Sequence, residues 1–163
     1  MISGGDTFEQ LVRAHQGAIR NFLRRLTRET ALADDLAQIS FLKAYEQHDK
    51  LRDTKAVKSW LFQIAYRSFV DHHRKEARRR GLVEGHIEDD MAEAPAGLKM
   101  DLEAAMNILP TECRAVVILC LAHGMSHSEV AAAIDLPLGT VKSHVNRGKT
   151  KLRTFLSAYE KVN

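Results

Sequence analysis

The sequence predicts an all-α fold made of two small helical domains joined by a flexible acidic linker. Three observations carry that expectation. Apolar residues recur at helical spacing from Phe8 to about residue 80 and again from Leu98 onward. Between these stretches, Gly81 to Gly97 (GLVEGHIEDDMAEAPAG) holds three glycines, Pro95 and an acidic run, with no sustained apolar period. Aromatic residues make up only 6% of the 163 residues, which suits small helical bundles.

In the first domain, 1–80, a helix capped by Thr7 is expected, with Phe8, Leu11, Val12, Ala18, Ile19, Phe22, Leu23 and Leu26 keeping a rough helical period. A second helix starts near Thr30. Its inward stripe is Leu32, Leu36 and Ile39, whereas Phe41 points about 180° from Leu32 at 100° per residue. Either the helix is packed on two sides, the commoner arrangement in a three-helix bundle, or Phe41 belongs to a partner surface. A charged loop, His48 to Lys58, then leads to a third helix, SWLFQIAYRSFVDHHRKEARRR. Trp60 and Ile64 read as core. Arg74, Lys75, Arg78, Arg79 and Arg80 place five basic residues in seven positions, beyond what a favourable helix dipole needs. Next to aromatics, such a cluster suits single-stranded or distorted DNA, where bases stack and phosphates require cations.

The linker, 81–97, reads as solvated in the isolated chain, with the alternative that its acids lie in a basic groove of a partner. The second domain, 98–163, opens with two expected helices, Leu98 to Leu109 and Pro110 to His123. Met125 to Arg153 then reads as a helix, a tight turn and a second helix. Ser126 or Ser128 can cap the first, Val130, Ala131 and Ile134 give it an apolar stripe, and Asp135-Leu136-Pro137 interrupts it. Pro137 fits a first-turn position because it has no amide proton to leave unsatisfied. From Leu138, an inward face of Val141, Val145, Gly148 and Leu152 opposes Ser143, Asn146, Arg147 and Thr150, flanked by Lys142 and Lys149. Gly148 would let another backbone come close, at a cost of about 1 kcal/mol relative to alanine. This is a helix-turn-helix, whose second helix reads a DNA major groove.

Charge supports a polyanionic partner. Residues 1–80 carry 16 basic against 10 acidic side chains, residues 81–103 carry 1 against 7, and residues 104–163 carry 7 against 4. Two basic blocks thus flank an acidic connector, and binding through them would weaken with salt. A composition 45% hydrophobic and 28% charged, with no run near the roughly 20 apolar residues of a membrane span, predicts a soluble protein without membrane insertion. The start, MISGGDTFEQ, lacks the basic-then-apolar order of a signal peptide, so a cytoplasmic location is expected.

No metal, cofactor or catalytic grouping is expected. Cys113 and Cys120 lie two turns apart, about 10 Å, on one expected helix and cannot bridge there. Cys120, His123 and His127 have a suggestive spacing, but Gly124 separates the histidines and no fourth ligand is evident. The phosphate-loop, nucleophile-elbow and zinc-protease motifs are missing from the sequence, which argues against an enzyme.

The segments ADDLAQISFLKAY, SWLFQIAYRSFVDHHRK, LPTECRAVVIL and GMSHSEVAAAIDLPLGTVKSHVNRGKTKLR together resemble a bacterial RNA polymerase sigma factor of the small extracytoplasmic-function (ECF, group 4) class within the sigma-70 family. ADDLAQISFLKAY (Ala33 to Tyr45) is similar to that family's AEDLVQETFLKAY. SWLFQIAYRSFVDHHRK is similar to WLFxIAxNxxxDxxRR, and LPTECRAVVIL with GMSHSEVAAAIDLPLGTVKSHVNRGKTKLR resembles its region 4. The resemblance implies a factor that directs promoter-specific initiation by core RNA polymerase, docking on the β′ clamp helices and the β flap and controlled by an anti-sigma factor. It implies polymerase binding by Asp35, Gln38 and Phe41. Lys58, Gln63, Tyr66, Arg67, Arg74 and Lys75 would engage the minus-10 element, and Thr140, Lys142, Ser143, Asn146, Arg147 and Lys149 the minus-35 element. The sequence departs from the family pattern at Ile39-Ser40, Arg67, His144 and Gly148. Two alternatives are a polymerase-independent helix-turn-helix regulator and a sigma-like decoy that sequesters an anti-sigma factor.

Overall fold

The computed structural model describes residues 5–81 and 102–160. Every regular element among them is helical, in two compact units. The first unit holds α1 (Gly5–Thr27), α2 (Thr30–Gln47) and α3 (Val57–Arg79); the second holds α4 (Leu102–Met106), α5 (Thr111–Val117), most of α6 (His127–Ile134) and α7 (Leu138–Glu160).

In the first unit α1 and α3 each bury one stripe. Ile19, Phe22, Leu23 and Leu26 of α1 meet Leu61, Phe62, Ala65 and Phe69 of α3 in the core, with Phe22 and Phe62 edge to face at 5.3 Å. Helix α1 begins before Thr7, so that residue does not cap it, and Leu11, Val12 and Ala18 are half-buried. It ends where Arg28 takes a left-handed φ of 57° while its amide still bonds the Arg24 carbonyl. The Thr27 hydroxyl then accepts from the Glu29 amide, closing the turn into α2.

Helix α2 corrects the expected stripe. Its buried side is Ala33, Leu36, Ala37, Ser40 and Ala44, while Ile39 is 42% exposed and Leu32 is half-buried. Small side chains at four-, three- and four-residue steps let the neighbouring helices approach, and that packing outweighs the burial of one isoleucine. The connection to α3 is shorter than the expected loop. His48–Lys50 and Thr54–Ala56 form single 3₁₀ turns, and Lys58 already lies in α3. Trp60 is half-buried, not core, whereas Ile64 is buried as expected.

The linker beyond Gly81, with Leu98 to Asp101 of the next expected helix, lies outside the described residues. In the second unit α4 stops at Met106 and continues as turns to Leu109, so that helix ends earlier than its apolar pattern suggests. The expected single helix from Pro110 is two elements. Helix α5 starts after Pro110, whose carbonyl accepts from Arg114, and from Ile118 to Ala122 the chain widens to π geometry. Gly124, at the left-handed φ of 64° common just past a helix end, stops it, and Met125 N bonds Leu119 O six residues back, one residue wider than a Schellman bond, as follows from the π geometry before it.

Ser126 caps α6, resolving the choice between two serines. Its hydroxyl accepts from the Glu129 amide and the Glu129 carboxylate accepts from the Ser126 amide, both at 3.1 Å, a reciprocal capping box. Val130 and Ile134 are buried, with Ala131 half-buried. The helix stops through Asp135, which takes a left-handed φ of 61° while Leu136 N bonds Ala131 O. Aspartate tolerates this conformation better than most side chains. Pro137 sits one residue earlier than expected: its carbonyl accepts from Val141, so it caps α7 from outside the first turn. Val141, Val145, Gly148 and Leu152 form the inward face of α7 as the period predicts.

Candidate nucleic-acid and partner interfaces

Because α2 buries its small side, its apolar residues face outward. Ile39, Leu42 and Tyr45 are 42%, 65% and 56% exposed. Asp35 and Gln38 are exposed beside them and Phe41 is half-buried. Phe41 lines a cleft of 430 Å³ between α1 and α2 with Phe8, Val12, Leu42 and Tyr45, and the polar side chains of Gln16, Arg20 and Gln38 edge it. Phe8 and Tyr45 meet edge to face at 5.2 Å and the His48 ring stacks on Tyr45 at 5.3 Å, which firms one end of the cleft. Asp35, Gln38 and Phe41 are therefore brought together. Leu42 and Tyr45 were missed because their period looked like a second core face; the clue was the run of small residues opposite.

On α3 the six expected minus-10 residues divide. Gln63, Arg67 and Arg74 fall four and seven residues apart along one stripe, with Arg67 and Arg74 exposed and Gln63 half-buried. Half-buried Trp60 borders the same stripe, so this aromatic, assigned to the core from sequence, is the one beside the exposed arginines. Lys75 is exposed to one side of the stripe and Lys58 lies near the opposite face at the start of α3. Tyr66 corrects the expectation: it is only 7% exposed and packs against Phe69 at 6.2 Å between ring centres, so its ring has no open face on which a base could stack. Lys43 of α2 reaches α3, its ammonium donating to Ser68 Oγ at 3.3 Å and lying 3.9 Å from the Asp71 carboxylate. Burial, aided by the charge of Lys58, pushes the His15 pKa down and favours its neutral form.

Helix α7 presents the expected polar face. Lys142, Ser143, Asn146, Arg147, Lys149 and Thr150 are exposed and Thr140 is half-buried. Arg147 Nε bonds back to Ser143 O at 3.4 Å, and the Thr150 hydroxyl is spent on Asn146 O at 3.0 Å. Beneath this face Gly148 is closely approached, by side chains rather than by the backbone that was expected there. A Cβ placed there would lie 2.5 Å from Val117 Cγ2 and 3.4 Å from Cys113 Sγ. His144, on the border of the face, is turned inward, its Nε2 2.9 Å from Glu112 Oε2 of α5. Both cysteines are free, Cys113 buried and Cys120 half-buried, and burial raises both thiol pKa values. Among the described residues no group of three or more His, Cys, Asp or Glu is placed to hold a metal ion. No described helix is long and apolar enough to cross a membrane.

Comparison with known proteins decides the family. The sigma-70 region 2 model matches residues 11–79 and the sigma-70 region 4 model matches residues 99–152. Over 155 residues the chain is 30% identical to the ECF RNA polymerase sigma factor EcfG of Rhodopseudomonas palustris, covering 93% of this chain and 86% of that protein. The chain belongs to the ECF sigma factors of the sigma-70 family. It is also 32% identical to the ECF sigma factor SigE of Mycolicibacterium smegmatis, over 94% of this chain but only 63% of that longer protein. Among solved structures it resembles the sigma factor RpoE of Bartonella quintana, crystallised with the anti-sigma factor NepR, with a TM-score of 0.76, 29% identity, and coverage of 92% of this chain and 96% of that one. In ECF terms the outward side of α2 and the stripe on α3 fall within region 2, and the α6–α7 helix-turn-helix falls within region 4.

Proposed function

We propose that this ECF sigma factor binds core RNA polymerase through α2 and directs it to promoters by gripping DNA at two points, with no chemistry of its own. The observation that carries the proposal is a helix apolar on its solvent side in the same unit as a stripe of arginines. An exposed Ile39, Leu42 and Tyr45 beside Asp35, Gln38 and Phe41 is a surface suited to a protein partner, with an apolar centre and a polar rim. The β′ clamp helices of polymerase are that partner, and the β flap is the partner of the second unit.

The first unit, residues 1–80, captures the minus-10 element with Gln63, Arg67 and Arg74 on one stripe; Lys75 adds charge from one side of it, and Lys58 adds charge at the start of the helix, near the opposite face. Trp60 borders the stripe, where an aromatic can support an unstacked base. The second unit, residues 98–163, reads the minus-35 element with Thr140, Ser143, Asn146 and Arg147, while Lys142 and Lys149 meet phosphates. The linker, residues 81–97, lies in the polymerase channel that nucleic acid otherwise occupies, which suits its acidity. An anti-sigma factor holds the protein inactive in the cytoplasm by covering the polymerase-binding surface. The similar sigma factor RpoE, crystallised with the anti-sigma factor NepR, supports that control.

Binding assays on paired variants test the assignment. Asp35→Ala with Gln38→Ala is expected to weaken core-polymerase binding about tenfold and leave binding of upstream-element duplex unchanged; Arg147→Ala is expected to do the reverse, because each truncates a contact worth about 1–3 kcal/mol. Equal loss of both activities in each variant would reject the division of labour.

A further inference from the structure

Beyond the polar face of α7, one residue of the recognition helix is held by the helix behind it. His144 lies one helical turn from both Thr140 and Arg147, yet its side chain is only 12% exposed. Its Nε2 is 2.9 Å from Glu112 Oε2 in the first turn of α5. The next residue of α5 holds the backbone of the same residue: Cys113 Sγ donates to His144 O at 3.3 Å. Only a protonated thiol can donate, and burial, which pushes the Cys113 pKa up, keeps it so. Consecutive residues of α5 thus grip both the side chain and the main chain of His144. One turn further along, Gly148 lies against Val117 and Cys113 with no room for a side chain. The crossing of α5 and α7 is thus contacted at two successive turns, and each contact adds resistance to rotation of α7 about its axis.

We propose that Glu112 and His144 form a positioning pair that sets the rotation of the recognition helix and so the aim of Thr140, Ser143 and Arg147 at the upstream promoter element. This rests on the reading of α7 as the minus-35 reader. Neither residue is assigned to contact DNA. A histidine that points inward gives up a direct contact on this border of the face and returns orientational precision to its neighbours. A hydrogen bond to a carboxylate can supply that precision, since charge-assisted bonds are shorter and stronger than neutral ones.

Transcription by core polymerase with the full chain tests the pair on two templates: a promoter selected from a randomised library with the wild-type chain, and the same promoter with its upstream element scrambled. Glu112→Ala and His144→Ala are each expected to lower output from the intact promoter about fivefold and to leave output from the scrambled one within about twofold. The double variant is expected to be no weaker than either single, because both remove one interaction. His144→Gln, which can still donate to Glu112, is expected to restore output to within about twofold of wild type, but not when Glu112 is alanine. Wild-type output from the single variants, multiplied losses in the double variant, or equal losses on both templates would overturn the pair. A wild-type chain indifferent to scrambling would instead overturn the minus-35 reading itself, and Arg147→Ala, then equally silent, would identify that outcome.

Discussion

The tightest constraint at the scale of single residues is Gly148. A methyl group there would sit 2.5 Å from Val117 Cγ2, a short branched side chain with little freedom to retreat. Gly148→Ala gains about 1 kcal/mol of helix propensity but incurs overpacking of about 1–3 kcal/mol, so a net loss near 1 kcal/mol is expected in chemical denaturation. Gly17, in α1 with nothing within 4 Å of its missing side chain, is the control: Gly17→Ala is expected to stabilise by up to about 1 kcal/mol. Opposite Gly148, the Cys113 thiol has its pKa raised by burial, with Lys151 and Arg147 pulling weakly the other way. A raised thiol pKa favours the neutral form in the folded state, so this contribution to stability is complete below the ordinary thiol range and is lost as pH rises through the folded value. Alkylation by iodoacetamide at pH 8 is expected to be slower in the folded protein than in urea, at Cys113 more than at half-buried Cys120. Equal folded and unfolded rates would contradict it.

Among the elements, α6 and the inward face of α7 were the most legible, because the start of α6 and the period of α7 have a chemical cause written in the sequence. Ser126-His-Ser-Glu129 spells a capping box, Gly124 supplies the left-handed stop before it, and Val141, Val145, Gly148 and Leu152 keep strict period. Ser126→Ala is expected to cost about 1 kcal/mol, read as a lower thermal midpoint for the second unit's transition. The first unit was legible in its helices and misleading in its faces. Helix α2 is apolar on nearly every side, so the period could not choose between Leu32-Leu36-Ile39 and Ala33-Ala37-Ser40-Ala44; close helix packing chose the small side. On α3 the aromatics Trp60 and Tyr66 exchange their expected places, since both are apolar rings with one polar atom and only three-dimensional packing separates them. The break of α5 into π geometry at Ile118 has no sequence signal that we can identify. Among the proposed site residues, exposure was legible chiefly where side chains are charged, as at Arg67, Arg74 and Arg147, because a guanidinium stays in water unless it is paired.

For the whole molecule, the proposed function makes two modest DNA grips on one chain act as one strong grip once polymerase fixes their separation, since the second contact becomes intramolecular. The free protein is therefore expected to bind promoter duplex weakly and with steep salt dependence, and the holoenzyme tightly. A net charge of +3, concentrated as basic blocks on either side of the acidic connector, fits that division. The most direct measurement of this account is transcription in vitro by core polymerase on a promoter library, with and without the chain. The account requires new transcripts that start at fixed distances from a shared pair of sequence elements, and that disappear with Asp35→Ala and Gln38→Ala. No stimulation of core polymerase, alongside tight and specific duplex binding by the chain alone, would contradict it.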